Sequence, residues 1–151
     1  MNRRVVIGVG NPLRGDDGAG RRAAALLRAA SPPDVEIIGR DGEATALLEA
    51  MDGAELAIFI DACASGAAPG AVRRFDVARA PLPQNEFGAS SHGLGLATAI
   101  ELARALGGLP RVCVVYAIEG ESFTQGAPLS RAAEAGAIEA ARLALAELRA
   151  S

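Results

Sequence analysis

Asp17, Asp61 and His92 are the residues whose types and positions could perform chemistry together. Asp17 follows a short apolar run, Val5 to Val9, and the turn Gly10-Asn11-Pro12. Asp61 ends the apolar run Ala57 to Ile60, and His92, the sole histidine, stands at the start of a helical pattern. In an open α/β sheet, ligands bind beyond the carboxyl ends of the strands. Strand ends and helix starts therefore share one rim, and these three residues occupy such positions. Two carboxylates and one imidazole make a three-ligand site with open positions, suited to a borderline divalent ion. A helix N-terminus disfavours the imidazolium, and neutral imidazole is the form that binds metals. The residues alone leave a plainer reading open, in which His92 donates to a backbone carbonyl and Asp16-Asp17 cap a helix. A carboxylate ending a wholly apolar run, as Asp61 does, is expected to be exposed at the edge or paired.

Other arrangements fit less well. Ser65 has Cys63 where a Gly-x-Ser-x-Gly elbow needs its first glycine. Ser90 and Ser91 adjoin the histidine, but adjacency in sequence does not make a triad; either is a candidate cap for the helix that follows. Cys63, two residues beyond Asp61, is open to reading as a nucleophile or as a small loop hydrophobe, whereas Cys113 belongs to a strand core. The segment Gly8-Val9-Gly10-Asn11-Pro12-Leu13 imitates a dinucleotide loop, yet Leu13 replaces the third glycine. Asp16 and Asp17 also put the protein's own anions where a pyrophosphate would sit. No nucleotide cofactor is expected.

The elements that must position these residues follow from periodicity. Continuous apolar runs at Val5–Val9, Leu56–Ile60 and Val112–Ile118 predict strands buried on both faces. Val35–Ile38 predicts a further strand, and Val72–Val77, with Arg73, Arg74 and Asp76 interspersed, an edge strand. Helical patterns cover Asp17–Ala30 (with Ala24, Leu26, Leu27 and Ala30 inward), Glu43–Met51, His92–Leu106, and a last helix to about Leu148 capped by Ser130. Strands alternating with helices predict a three-layer α/β/α sandwich around a mostly parallel, roughly five-stranded twisted sheet. The 151 residues fit one domain, 1–151.

Half the residues are apolar, which excludes disorder, and only 3% are aromatic, so the core is aliphatic. A formal charge of −3 without a basic face argues against nucleic acid as a partner. Two cysteines are too few for a disulfide scaffold. Arg3-Arg4 and Val5–Val9 imitate a leader, but Asn11 and Arg14-Gly15-Asp16-Asp17 interrupt it. No apolar run approaches membrane-spanning length. The expectation is a cytoplasmic protein with no membrane partner.

The landmarks Gly8-x-Gly10-Asn11-x-x-x-x-Asp16-Asp17-Gly18-x-Gly20, Asp41-Gly42, Asp61-Ala62 and Ser91-His92-x-x-Gly95-Leu96 together resemble the hydrogenase maturation proteases. Ile118-Glu119-Gly120 and Gly126-x-x-Leu129-Ser130 continue the resemblance over nearly the whole chain. It implies an α/β/α sandwich and a nickel-dependent endopeptidase. Such an enzyme removes the C-terminal extension of a nickel–iron hydrogenase large-subunit precursor after nickel insertion. The family's metal-binding residues map onto Asp17, Asp61 and His92, with nickel supplied by the precursor. Asp16 maps beside the site, and Asp41 maps to a neighbouring loop as a candidate for positioning substrate. One departure is Asp41-Gly42-Glu43-Ala44-Thr45, where the family often has Asp-Gly-Gly-Thr; it adds negative charge near the rim. The alternative function is a non-catalytic nickel-binding accessory using the same residues.

Overall fold

The computed structural model describes residues 2–30, 32–83 and 91–151, and for 91–94 only the helical backbone. Strands β1 (Arg3–Val9), β2 (Glu36–Arg40), β3 (Ala54–Cys63), β4 (Val72–Asp76) and β5 (Val112–Glu119) form one sheet in the order β2-β1-β3-β5-β4. All pairings are parallel except β4 with β5, so the edge strand expected at Val72–Val77 is the antiparallel one. The helices are α1 (Ala19–Ala30), α2 (Ala44–Met51), α3 (Ser91–Ala105) and α4 (Arg131–Ala150). A single 3₁₀ turn, Gly15–Gly18, precedes α1.

Successive residues of each central strand feed opposite layers, as the pleat requires. Val5, Ile7, Phe59 and Val115 pack with Leu47, Met51, Leu96 and Ile100 of α2 and α3. Val6, Ile58, Ile60, Val114 and Ile118 pack with Leu27 of α1 and the alanines of α4. Because both faces are covered, the strands carry unbroken apolar runs. Of the four residues expected inward on the first helix, Ala24 and Leu27 are buried, Leu26 is half-buried and Ala30 is exposed. The buried stripe instead continues N-terminally through Ala19, Gly20 and Ala23. The α4 stripe of Ala133, Ala137, Ala140, Ala141 and Ala144 lets that helix lie close to the sheet.

The chain leaves β1 for β2 on one side, then crosses to β3 on the other. That reversal opens a crevice outside the carboxyl ends of β1 and β3. Two small residues shape it. A Cβ at Gly20 would overlap Ile60 O and lie 2.6 Å from Val9 O, so only glycine lets α1 start directly above both strands. A Cβ at Gly95 would overlap Gly42 O, so α3 begins against the loop that follows β2. Among the described residues, no helix is long and apolar enough to cross a membrane.

Candidate metal centre

Hydrogen bonding separates the two adjacent aspartates. Both lie in the 3₁₀ turn and both are fully buried, yet neither caps α1. Asp16 accepts hydrogen bonds from the amides of Glu121 (2.7 Å), Ser122 (3.2 Å) and Ser130 (2.7 Å), and from Ser130 Oγ (2.8 Å). Burial pushes its carboxyl up, but these donors outweigh that and hold it below the ordinary carboxylate range. Asp16 is thus a structural clamp between the first turn and the segment before α4, and the capping expectation is corrected. Ser130 does cap α4, accepting from Ala133 N at 3.1 Å. Asp16→Ala removes the acceptor of three part-buried amides and of the Ser130 hydroxyl and is expected to lower stability by about 3 kcal/mol. Urea denaturation checks this; a loss below about 1 kcal/mol would mean water replaces the carboxylate.

Asp17 points the other way. Its Oδ2 accepts from Asn11 N at 2.8 Å, which fixes the carboxylate over the end of β1. Asn11 is held in turn by an Asx turn, its Oδ1 accepting from Leu13 N at 2.9 Å.

Asp61 lies inside β3, which runs three residues beyond its apolar stretch because Asp61, Ala62 and Cys63 stay in register with Ala117, Ile118 and Glu119. Its carboxyl is not exposed at the edge, which corrects one of the two expectations for it. Asp61 has no exposure, and neither of its oxygens has a hydrogen-bond partner among the described residues. Burial raises its proton affinity well above the ordinary carboxylate range, and the nearby Asp17 raises it further; the Ala62 amide offsets only part of this. A buried carboxyl with so little compensation among the described residues, beside a second carboxylate, is an arrangement that natural proteins retain for a cation or for function. The donor set is oxygen-rich, which suits a divalent ion rather than a soft one.

His92 is the second residue of α3, whose first helical residue is Ser91; Ser90 lies outside the described residues. The Gly95–Gly42 contact brings this first turn to the loop after β2, at the carboxyl edge of the sheet. The His92 imidazole lies outside the described residues, among which no group of three potential ligands forms a metal cluster. Asp17 and Asp61 are therefore brought together, with the third residue assigned to the same edge by its backbone.

The remaining candidates sort by environment. Asp41 is exposed and accepts from Glu43 N at 3.2 Å. Glu43 caps α2, accepting from Thr45 N (3.0 Å) and Ala46 N (3.3 Å), so the extra charge of this loop serves the helix start. Burial, then Glu119, push the Cys63 thiol up to about 12 despite Arg73, leaving it protonated at neutral pH and unsuited to nucleophilic attack. Cys113 is a fully buried core residue. Glu119, whose role the sequence did not signal, is buried and gathers the loop after β3 by accepting from Ser65 N (2.9 Å), Ser65 Oγ and Gly66 N (3.3 Å).

Comparison with known proteins agrees with this architecture. The chain matches the hydrogenase maturation protease family model over residues 22–147. It is similar to the hydrogenase maturating endopeptidase HybD from E. coli, with 30% identity, a TM-score of 0.81, and coverage of 97% of this chain and 92% of that one. A solution structure of an endopeptidase from Escherichia coli is 28% identical with a TM-score of 0.86, over 97% and 92% of the two chains. A hydrogenase 2 maturation peptidase from Thaumarchaeota archaeon SCGC_AB-539-E09 is 29% identical with a TM-score of 0.70, over 97% and 98%. A search of curated proteins by sequence finds no match. With a family match over most of its length and a fold shared with the HybD endopeptidase, the chain belongs to the hydrogenase maturation protease family.

Proposed function

We propose that the protein is an endopeptidase that removes the C-terminal extension of a nickel–iron hydrogenase large-subunit precursor once nickel has been inserted. The observation that carries this reading is the Asp61 carboxyl, fully buried beside Asp17 and without a hydrogen-bond partner among the described residues. Such a pair is costly in the isolated fold and becomes favourable when a cation enters. Family membership supplies the hydrolytic context.

Asp17, Asp61 and His92 are the residues that would hold the ion. Two carboxylates and one imidazole leave coordination positions open, so nickel lodged in the precursor can arrive with its own ligands and have its shell completed here. Cleavage then waits for metallation because the ion is what joins substrate to site. When bound, the ion supplies positive charge that polarises a carbonyl and acidifies water. The chain's own part is to hold two oxygens rigidly, Asp17 through the Asn11 amide and Asp61 through the β3–β5 ladder. Burial also keeps bulk water from competing for them. A carboxylate of this pair is the candidate general base.

Incubating the protein with nickel-loaded and nickel-free precursor, followed by mass spectrometry, tests the reading. It predicts loss of a C-terminal peptide from the loaded form alone. Tight binding with unchanged precursor mass would instead identify a nickel-handling accessory. Cys63→Ala is expected to leave processing intact, since the thiol is protonated and held in the Glu119–Arg73 cluster. A Cys63→Ala variant that folds but does not process would restore the thiol as a nucleophile.

A further inference from the structure

Two guanidinium groups lie beside the crevice on its β2 side. Arg21 of α1 donates to Gly10 O (3.3 Å), and Arg40, the last residue of β2, donates to Gly39 O (2.7 Å). Both side chains are half-buried, and among the described residues neither is ion-paired. A guanidinium carries five N–H donors in a planar fork, so one carbonyl contact each among the described residues leaves most of that capacity to a ligand. The acids that follow Arg40 along the chain, Asp41 and Glu43, are engaged with backbone amides at the start of α2, and those that precede Arg21, Asp16 and Asp17, accept from the amides of Ser130 and Asn11.

The strand is shaped around one of these groups. Gly39 has no left-handed backbone to explain it. A Cβ there would overlap Arg21 Nε and sit 2.8 Å from Arg21 Cζ, so the glycine makes room for the guanidinium to lie on the β2 backbone. Gly10, whose carbonyl Arg21 contacts, is the residue before Asn11, and Asn11 holds Asp17. The two guanidiniums therefore both lie against Gly39, and Arg21 reaches through Gly10 to the turn whose Asn11 amide holds Asp17.

We propose that Arg21 and Arg40 form a carboxylate-binding subsite that anchors the precursor beside the metal centre. The proposal rests on the endopeptidase reading above. The fork geometry matches a carboxylate bidentately, and two such groups next to an acidic centre sort the substrate by charge. An anionic group is drawn to the arginines, while the metal-bearing segment is drawn to Asp17 and Asp61. The carboxylate belongs either to an acidic side chain of the precursor or to its C-terminus.

The test measures KM and kcat for nickel-loaded precursor, and its Kd by calorimetry, with wild type, Arg21→Ala, Arg40→Ala and Gly39→Ala. Gly39→Ala keeps both arginines but pushes the flexible Arg21 head off its seat, so it separates the subsite from the fold. Unchanged melting curves establish that each variant is folded. The expected result is that KM and Kd rise about tenfold or more for each arginine variant, with kcat retained and the salt dependence of binding reduced. One precursor carries an amidated C-terminus; others have Asp and Glu changed to Asn and Gln. The precursor lacking the recognised carboxylate should bind wild type as weakly as the ordinary precursor binds Arg21→Ala, and lose nothing further with that variant. Unchanged KM and Kd in all three variants, or a fall in kcat alone, would overturn the subsite while leaving the endopeptidase reading intact. If wild type binds precursor without cutting it, that reading fails and the Kd values still decide the subsite; if it neither binds nor cuts, both fail.

Discussion

Asp61→Ala is expected to abolish processing while making the metal-free protein more stable. The two effects share one cause. Asp61 is fully buried, its oxygens lack hydrogen-bond partners among the described residues, and Asp17 lies close enough to raise its proton affinity. Removing an uncompensated buried carboxyl recovers about 2 kcal/mol or more of desolvation cost, against roughly 1 kcal/mol for the small cavity left behind. The net expectation is a gain of about 1 kcal/mol in the urea unfolding free energy. Activity moves oppositely, because an ion that has lost one of its two carboxylates is no longer held at the scissile bond. Several kcal/mol of lost charge stabilisation corresponds to about 10³-fold or more in turnover. A destabilised Asp61→Ala protein would show that the carboxyl has a structural partner and would remove the argument for a cation.

Gly20→Ala is the second large effect, and its sign opposes helix propensity. Within a helix the change ordinarily stabilises by about 1 kcal/mol. Here the new methyl would overlap Ile60 O and lie 2.6 Å from Val9 O, two backbone atoms fixed in the central ladders. Overpacking against rigid backbone costs about 3 kcal/mol or more, so a net loss of at least about 2 kcal/mol is expected by thermal or urea denaturation. Since α1 carries the 3₁₀ turn on its N-terminus, lifting the helix also displaces Asp17, and metal affinity should fall with stability. A Gly20→Ala protein as stable as wild type would mean that α1 does not sit against the strand ends.

These two residues show how far the sequence could be read. Strands with continuous apolar runs and helices with clear stops were legible, because burial on both faces and breaking prolines leave local marks. The cap at Ser130 was legible for the same reason. Asp61 was found as a candidate from its place at the end of an apolar run, but its complete burial was not. That burial depends on α1 descending onto Ile60 O, a contact between residues forty positions apart in sequence. The division of labour between Asp16 and Asp17 was equally hidden, since Asp16 finds its partners at Glu121, Ser122 and Ser130, more than a hundred residues away. Arg21 and Gly39 carry no local signal; only their contact across α1 and β2 gives either a role. His92 was legible as the lone histidine at a helix start, and the backbone of α3 agrees with that position.

The most direct test of the central claim is calorimetric titration of Ni²⁺ into the protein without precursor, alongside Asp17→Ala, Asp61→Ala and His92→Ala. The account predicts weak binding of one ion to wild type, lost in each variant while the variants remain folded. Binding that persists unchanged in Asp61→Ala, or tight binding that needs no precursor, would contradict it.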